Sequence, residues 1–193
     1  MAALPELLLR DAPAWRAWLS GHHGEPGVWL VLHKKGGTVT SLTYDEALDE
    51  ALCFGWVDGQ KGSRDEGSFR QRFTPRRSRS PWSARNVDHV ARLTEAGMMH
   101  AAGQAAVDAA KANGQWDNAY AGQGNAQVPD DLAAAIAADS GAAAMFTTLS
   151  STNRYALIYR VNAVKRAETR ARKIVQFVDM FARGETIYPQ KSH

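Results

Sequence analysis

The first part of the chain shows both helical and strand periodicities. Residues from Leu4 to Leu19 have the apolar spacing of a helix, in which Pro13 marks either a break or the true helix start after Asp11. The continuous apolar run from Val28 to His33 is typical of a strand in the centre of a sheet. These segments together predict the start of a mixed helix and sheet unit.

A helix and two further strands are predicted next. Thr43 and Glu46 fit a capping box, in which their side chains satisfy backbone amides that the first helical turn leaves free. The apolar face of this helix comes from positions 44, 47, 48, 51 and 52, and Gly55 ends it. Residues 56–60 and 68–74 then alternate as strands joined by a polar turn. In the second strand, alternation places its two arginines on the face opposite its aromatic residues.

The rest of the chain carries helical patterns only. Residues 84–95 and 101–112 predict helices, and the segment 114–127 is rich in Gly, Asn and Gln, as connectors are. Further short helices are predicted at residues 130–138, 142–149, 152–164 and 167–183. We therefore predict an α+β domain at residues 1–97, a helical or linker segment at 98–126 and a helical region at 127–193.

Charge is distributed unevenly along the chain. The formal net charge is only +3, yet residues 64–85 contain seven arginines against two acidic residues, and residues 154–173 contain seven basic residues against one. Such segregation produces a local positive field, for which an anionic partner is the natural complement. Solvated faces or intramolecular ion pairs would explain the same pattern and remain an open alternative.

Composition narrows the class of protein. No run approaches the roughly 18 apolar residues of a membrane span. The N-terminal residues lack the basic and then apolar pattern of a signal peptide. Cys53 is the only cysteine, so no internal disulfide can form. We therefore expect a cytoplasmic protein with an ordinary globular composition and leave its oligomeric state open.

One stretch combines aromatic residues, a carboxylate and arginines more densely than a core segment would. It begins with LCFGWVDGQ at residues 52–60 and continues with FRQRFTPRR at 69–77 and SPWS at 80–83. Each arginine must remain solvated, paired or bound to a ligand. The stretch therefore predicts a functional site without naming a reaction.

Several segments resemble the bacterial YdeI/OmpD-associated family, whose members are also described as bacteriocin-protection proteins. The resembling segments are residues 27–30, 34–35, 44–48, 51–59, 72–76, 82–83 and, for the C-terminal helical region, 163–174. The resemblance implies a first part similar to the YjbR/CyaY-like superfamily, in which a small antiparallel sheet is flanked by helices. It also implies an α+β class with an all-helical C-terminal region, and it brings no established activity, cofactor or catalytic residue.

We predict that the two basic segments line one cleft that accepts a small anionic ligand. Arginine side chains bind phosphate or carboxylate bidentately, and a tryptophan can stack on a base or sugar. The candidate ligand-binding residues are Trp56, Asp58, Gln60, Arg72, Arg76 and Trp82, with Lys165 and Arg170 of the last helical segment closing the site. Alternatively, Asp58 pairs with Arg72 or Arg76 and the tryptophans belong to the core.

Nucleic-acid binding is the first competing function. Arginines interleaved with aromatic residues can follow a phosphate backbone while bases stack. No helix-turn-helix, zinc-finger or RNA-recognition signature occurs, and the rest of the chain is acidic. Nucleic acid is therefore a possible partner that we do not favour.

Metal binding and catalysis have weaker support. Carboxylates at positions 45, 46, 49 and 50 would hold a cation weakly, although a solvated helix face explains them. Cys53 is expected to be buried and inert. We find no Gly-x-Ser-x-Gly elbow, phosphate-binding glycine loop or dinucleotide fingerprint. We expect no cofactor, metal or catalytic residue, and we favour a binding or stress-protection role over an enzyme of unknown reaction using the same cleft.

Overall fold

The computed structural model describes residues 3–36, 39 and 41–190. The chain divides into two compact units, Met1–Ala119 and Tyr120–His193. The elements of the first unit are β1 (Glu6–Leu8), α1 (Ala12–His22), β2 (Val28–His33), α2 (Tyr44–Cys53), β3 (Trp56–Ser63), β4 (Ser68–Pro75), α3 (Ala84–Glu95) and α4 (Ala101–Ala112). The elements of the second unit are α5 (Asp130–Ala137), α6 (Ser140–Thr148), α7 (Ser151–Asn162) and α8 (Ala167–Ala182). The α+β class with a helical C-terminal region is confirmed.

The sheet of the first unit has the strand order β1-β2-β4-β3. Strand β4 pairs antiparallel with both β2 and β3, whereas the edge strand β1 pairs parallel with β2. The register of β3 with β4 shifts between Asp58 and Lys61, so Gly59 and Gln60 form a bulge. Bulges redirect the strand and its side chains, and this one lies at the site described below.

The N-terminal segment departs from its predicted structure. Residues from Leu4 were predicted to be helical, but Glu6–Leu8 form a strand that pairs with β2. Helix α1 begins after Asp11, whose carboxylate accepts a hydrogen bond from the backbone nitrogen of Ala14 at 2.9 Å. The later of the two predicted helix starts is therefore confirmed. The structure of residues 6–8 is decided by their pairing with β2, a strand distant in sequence. Local periodicity cannot predict such pairing.

Helix α2 organises the core of the first unit. It contacts α1, α3, α4 and β3, and the predicted capping box between Thr43 and Glu46 is confirmed. Its apolar face packs with Trp15 of α1, Phe73 of β4 and Leu93 of α3, all fully buried. Burial of this apolar surface provides the main stabilisation of the unit.

Helix α4 approaches the C-terminal end of α2 very closely. The backbone nitrogen of His100 donates to the carbonyl of Cys53 at 3.0 Å, which satisfies one of the carbonyls that a helix end leaves free. Gly103 faces the same carbonyl, and a Cβ atom at that position would collide with it. The contact therefore requires glycine within the helix.

The second unit is built from helices alone. Helix α8 packs against α5, α6 and α7. The buried core of this unit includes Leu132, Leu157 and Phe177. The buried Asn153 donates to the carbonyl of Tyr188 and accepts from its backbone nitrogen, which fastens the C-terminal segment to α7. Across the described ranges, no helix is both long and apolar enough to cross a bilayer.

Candidate anion-binding cleft

A cleft of about 440 Å³ opens in the first unit where β4 ends. Its walls come from the loop between α1 and β2, the bulge of β3, the end of β4 and the loop that precedes α3. The lining residues are Gly24, Glu25, Pro26, Gly59, Gln60, Arg72, Thr74, Pro75, Arg76, Arg77 and Ser80. The volume suits a small organic ligand.

Three arginines give the cleft its basic character. Arg72 is an exposed residue of β4, as strand alternation predicted, and Arg76 and Arg77 follow in the next loop. Neither Arg72 nor Arg77 forms an ion pair with a carboxylate of the described residues. Their charges are therefore available to an anion in the cleft.

The guanidinium group of Arg76 is held in place by its neighbours. Its central carbon lies 3.6 Å from the ring centroid of Trp82, and Nη1 donates to the carbonyl of Pro81 at 3.1 Å. Trp82 is itself only 2% exposed and packs against Trp116. A cation over an indole face is attracted by the ring quadrupole, so Trp82 orients Arg76 from beneath the surface.

The loop between β4 and α3 is tied down by its own hydrogen bonds. The backbone nitrogen of Arg77 donates to Oγ of Ser80 at 2.9 Å, and the backbone nitrogen of Ser80 donates to the carbonyl of Arg77 at 2.9 Å. Nδ2 of Asn113, just after α4, donates to the carbonyl of Ser78 at 2.6 Å. The loop that carries Arg76 and Arg77 is thus fixed by its own turn and by one hydrogen bond from the residue that follows α4.

Asp58 has a partner on α2. Its Oδ2 accepts a hydrogen bond from the hydroxyl of Tyr44 at 2.8 Å. Burial, followed by the negative charge of Asp58, raises the pKa of Tyr44 above its usual range. Asp58 forms no ion pair with Arg72, so that part of the alternative explanation is wrong.

The predicted site residues are only partly brought together. Gln60, Arg72 and Arg76 line the cleft. Trp56 is fully buried among Trp15 and Trp18, and its Nε1 donates to the carbonyl of His23 at 2.8 Å. Both tryptophans of the candidate set, Trp56 and Trp82, therefore lie in the core, as the alternative explanation held.

Two candidate residues belong to the second unit. Arg170 binds the carboxylate of Asp131 with two nitrogens, at 2.6 and 2.9 Å, and donates to the carbonyl of Val161. Lys165 is exposed just before α8. That Lys165 and Arg170 close a ligand site remains a prediction.

Sequence reasoning missed several lining residues. Arg77 belonged to the arginine-rich stretch, and its position beside Arg76 was a signal that favoured including it. Thr74 lay within the same stretch, whereas Glu25 carried no such signal. Glu25 lies in a loop far from the stretch in sequence, and only the fold brings it to the cleft.

The acidic face of α2 is occupied by internal contacts. Asp45 pairs with Arg85 at 2.8 Å, and Glu50 pairs with Arg16 at 2.7 Å. Burial alone would raise the pKa of Asp49, but hydrogen bonds from Arg92 and His89 outweigh it and hold the pKa below its usual range. The described residues contain no group of three or more ligating side chains able to hold a metal ion.

The thiol of Cys53 is buried in the core beside Arg16. Burial raises the pKa of this thiol, and the hydrogen bond from Arg16 offsets only part of the effect. Since the thiolate is the reactive species, this cysteine is a weak nucleophile at neutral pH.

The fold and cleft define a two-unit α+β protein whose first unit carries an arginine-lined pocket. Residues 7–106 match a family described as a domain of unknown function, DUF8412, and because this match covers more than half of the chain, the chain belongs to that family. Residues 125–184 match the family described as "Bacteriocin-protection, YdeI or OmpD-Associated", which supports the resemblance in the helical part. No curated protein and no solved structure matches. The similarity of the first part to the YjbR/CyaY-like superfamily remains a prediction.

Proposed function

We propose that this chain is a binding protein for a small anionic ligand that occupies the arginine-lined cleft. The observation that carries the proposal is the convergence of Arg72, Arg76 and Arg77 on one cleft of about 440 Å³. Charge-assisted hydrogen bonds from guanidinium groups to phosphate or carboxylate oxygens are among the strongest that side chains make. An anion would also relieve the mutual repulsion of these cations.

The immediate surroundings support binding rather than catalysis. The loop that carries two of the arginines is fixed by Asn113 and Ser80. Such preorganisation lowers the entropic cost of holding a ligand. Outside the cleft lining, the thiol of Cys53 and the hydroxyl of Tyr44 both keep their protons at neutral pH, so neither is an activated nucleophile.

The test is calorimetric titration of the full chain with inorganic phosphate, sulfate and acetate. We expect the wild type to bind at least one of them. Arg72→Gln and Arg77→Gln should each weaken binding about fivefold, the equivalent of about 1 kcal/mol for an exposed charge-assisted contact. Arg10→Gln is the matched control, because Arg10 is an exposed arginine of the same unit outside the cleft. Absence of binding to all three anions, or equal binding by the cleft variants and the wild type, would contradict the proposal.

A short single-stranded oligonucleotide tests the competing function. A nucleic-acid binder would retain the oligonucleotide at low salt and release it steeply as salt rises. We expect no oligonucleotide retention at physiological salt. Retention that the cleft variants leave unchanged would favour the basic segment at residues 154–173 instead.

The match at residues 125–184 supports a second candidate, a role in bacteriocin protection. Bacterial cells that produce the wild-type chain should then survive a bacteriocin challenge better than cells carrying an empty vector. If protection depends on the cleft, Arg72→Gln with Arg77→Gln should abolish it, whereas Arg10→Gln should not. Equal survival of all strains would reject this role.

A further inference from the structure

One carboxylate lies in the arginine-lined cleft without neutralising it. Glu25 lines the cleft together with Arg72 and Arg77, yet it forms no ion pair with either. Its own backbone nitrogen donates to the carbonyl of His22, and its exposed carboxylate accepts no hydrogen bond from the described residues. The cleft therefore holds separated charges of both signs.

The loop that carries Glu25 is fixed against the sheet. The indole of Trp56 donates to the carbonyl of His23 at 2.8 Å. Gly27 adopts φ +138°, and a Cβ atom there would lie 2.8 Å from the carbonyl of Phe73. Any other residue at position 27 would be strained and would push the loop off β4. The loop that carries Glu25 thus packs against β4, the strand that carries Arg72.

The complement of such a cleft is a ligand with an anionic end and a cationic end. Resting on the proposed function, we infer that the cleft takes a phosphate monoester that also carries an ammonium group. The phosphate would lie among Arg72, Arg76 and Arg77, and the ammonium group would lie at Glu25. A dianion with three acceptor oxygens matches several guanidinium groups better than a carboxylate does.

In this arrangement the carboxylate of Glu25 contributes more to the specificity of the cleft for its ligand than to the affinity. Without the ammonium group, a bound phosphate would meet the negative charge of Glu25 within the same cleft, and this repulsion disfavours simple anions. With the ammonium group, the same carboxylate becomes a partner. Glu25 therefore selects aminoalkyl phosphates against alkyl phosphates of the same size.

The experiment compares O-phosphoethanolamine with ethyl phosphate, at a pH at which both phosphates are dianions. The two probes differ only in the ammonium group. Calorimetry on the full chain should show that the wild type prefers phosphoethanolamine about two- to fivefold, as expected for a partly solvated charge pair. Glu25→Gln should abolish this preference while leaving the affinity for ethyl phosphate equal or higher. Glu95→Gln, at an exposed glutamate outside the cleft, should keep the preference.

The outcomes separate this inference from the proposed function. If the wild type binds both probes equally, or if Glu25→Gln retains the preference, the inference is overturned while anion binding stands. If neither probe binds although phosphate, sulfate or acetate does, the inference fails while anion binding stands. If none of these anions binds, the proposed function fails and the inference fails with it. Because Glu25 is exposed, its variant should fold, and an unchanged Tm checks this.

A lipid headgroup contains the same phosphate and ammonium pair. Vesicles of phosphatidylethanolamine and phosphatidylcholine therefore form a separate arm. We expect no cosedimentation, because a headgroup diester carries one negative charge where the arginines suit two. Cosedimentation that Arg72→Gln abolishes would assign the site to a lipid surface and overturn the soluble monoester.

Discussion

The hydroxyl of Tyr44 donates a hydrogen bond to Oδ2 of Asp58 at 2.8 Å. This bond joins the first turn of α2 to β3, immediately before the bulge at Gly59 and Gln60. The carboxylate of Asp58, which the sequence predicted to bind a ligand, therefore accepts a hydrogen bond from within the protein. Asp58 thereby supports the bulge that presents Gln60 to the cleft.

Removing the Tyr44 hydroxyl should destabilise the first unit. Tyr44→Phe leaves the half-buried carboxylate of Asp58 without its donor, which we expect to lower the free energy of unfolding by about 1 to 2 kcal/mol. Urea unfolding at neutral pH measures the change. Tyr159→Phe is the control, because no hydrogen bond of that hydroxyl is present in the described residues. Equal stability of Tyr44→Phe and the wild type would contradict the expectation.

The same contact predicts a dependence on alkaline pH. An unfolded tyrosine loses its proton near pH 10, whereas burial and Asp58 raise the pKa of Tyr44 in the folded chain. The folded state then holds a proton that the unfolded state has lost, so this contribution is complete below about pH 10 and is lost as the pH rises through the native pKa. The stability difference between wild type and Tyr44→Phe should therefore narrow above pH 10. A difference that stays constant up to pH 11 would show that Tyr44 titrates normally.

Replacing the buried Trp82 should weaken ligand binding, because its ring positions the guanidinium group of Arg76. Trp82→Leu removes the ring under the guanidinium of Arg76, so we expect phosphate affinity to fall several-fold along with a stability loss of about 2 to 4 kcal/mol. Trp116→Leu is the matched control, since Trp116 packs against Trp82 but does not contact Arg76 in this way. It should reduce stability and keep the affinity. Calorimetry with phosphate, at a temperature where all variants are folded, distinguishes the two.

Removing only one partner of the ion pair between Arg16 and Glu50 should lower the stability of the fold considerably. Glu50 is 6% exposed and its Oε2 lies 2.7 Å from Nη1 of Arg16. Arg16→Met should destabilise the fold by about 3 kcal/mol, because it leaves a buried carboxylate without its cation. Adding Glu50→Gln should restore part of the loss in urea unfolding. Arg10→Met, at an exposed pair with Asp11, should change stability by less than about 0.5 kcal/mol.

Adding a single methyl group at Gly103 should disrupt the close contact between α4 and α2 and lower stability. Gly103→Ala ought to favour the helix by about 1 kcal/mol, yet the added Cβ would collide with the carbonyl of Cys53. We expect a net destabilisation of about 1 to 3 kcal/mol. Gly21→Ala is the control, because Gly21 lies in α1 with open space around its Cβ position, and it should be neutral or stabilising. Thermal unfolding, with the Tm of each variant compared with that of the wild type, tests both expectations.

Sequence patterns by themselves determined most of the helices. The capping box of α2, the bounds of α4 and the start of α8 were all predicted, because caps and apolar spacing act between residues one or two turns apart. Three cleft residues, Gln60, Arg72 and Arg76, were also predicted, since they lie on or next to the two strands of a single hairpin.

Tertiary structure alone decided the rest. Strand β1 exists because Glu6–Leu8 find backbone partners in β2, and local periodicity carries no trace of that pairing. The tryptophans became core residues and Asp58 became a partner of Tyr44 through packing between separate elements. Glu25 reached the cleft only because Gly27 and Trp56 hold its loop on the sheet. The physical reason is the same in each case: contacts between distant segments depend on where the backbone folds, and local sequence patterns contain only the preferences of neighbouring residues.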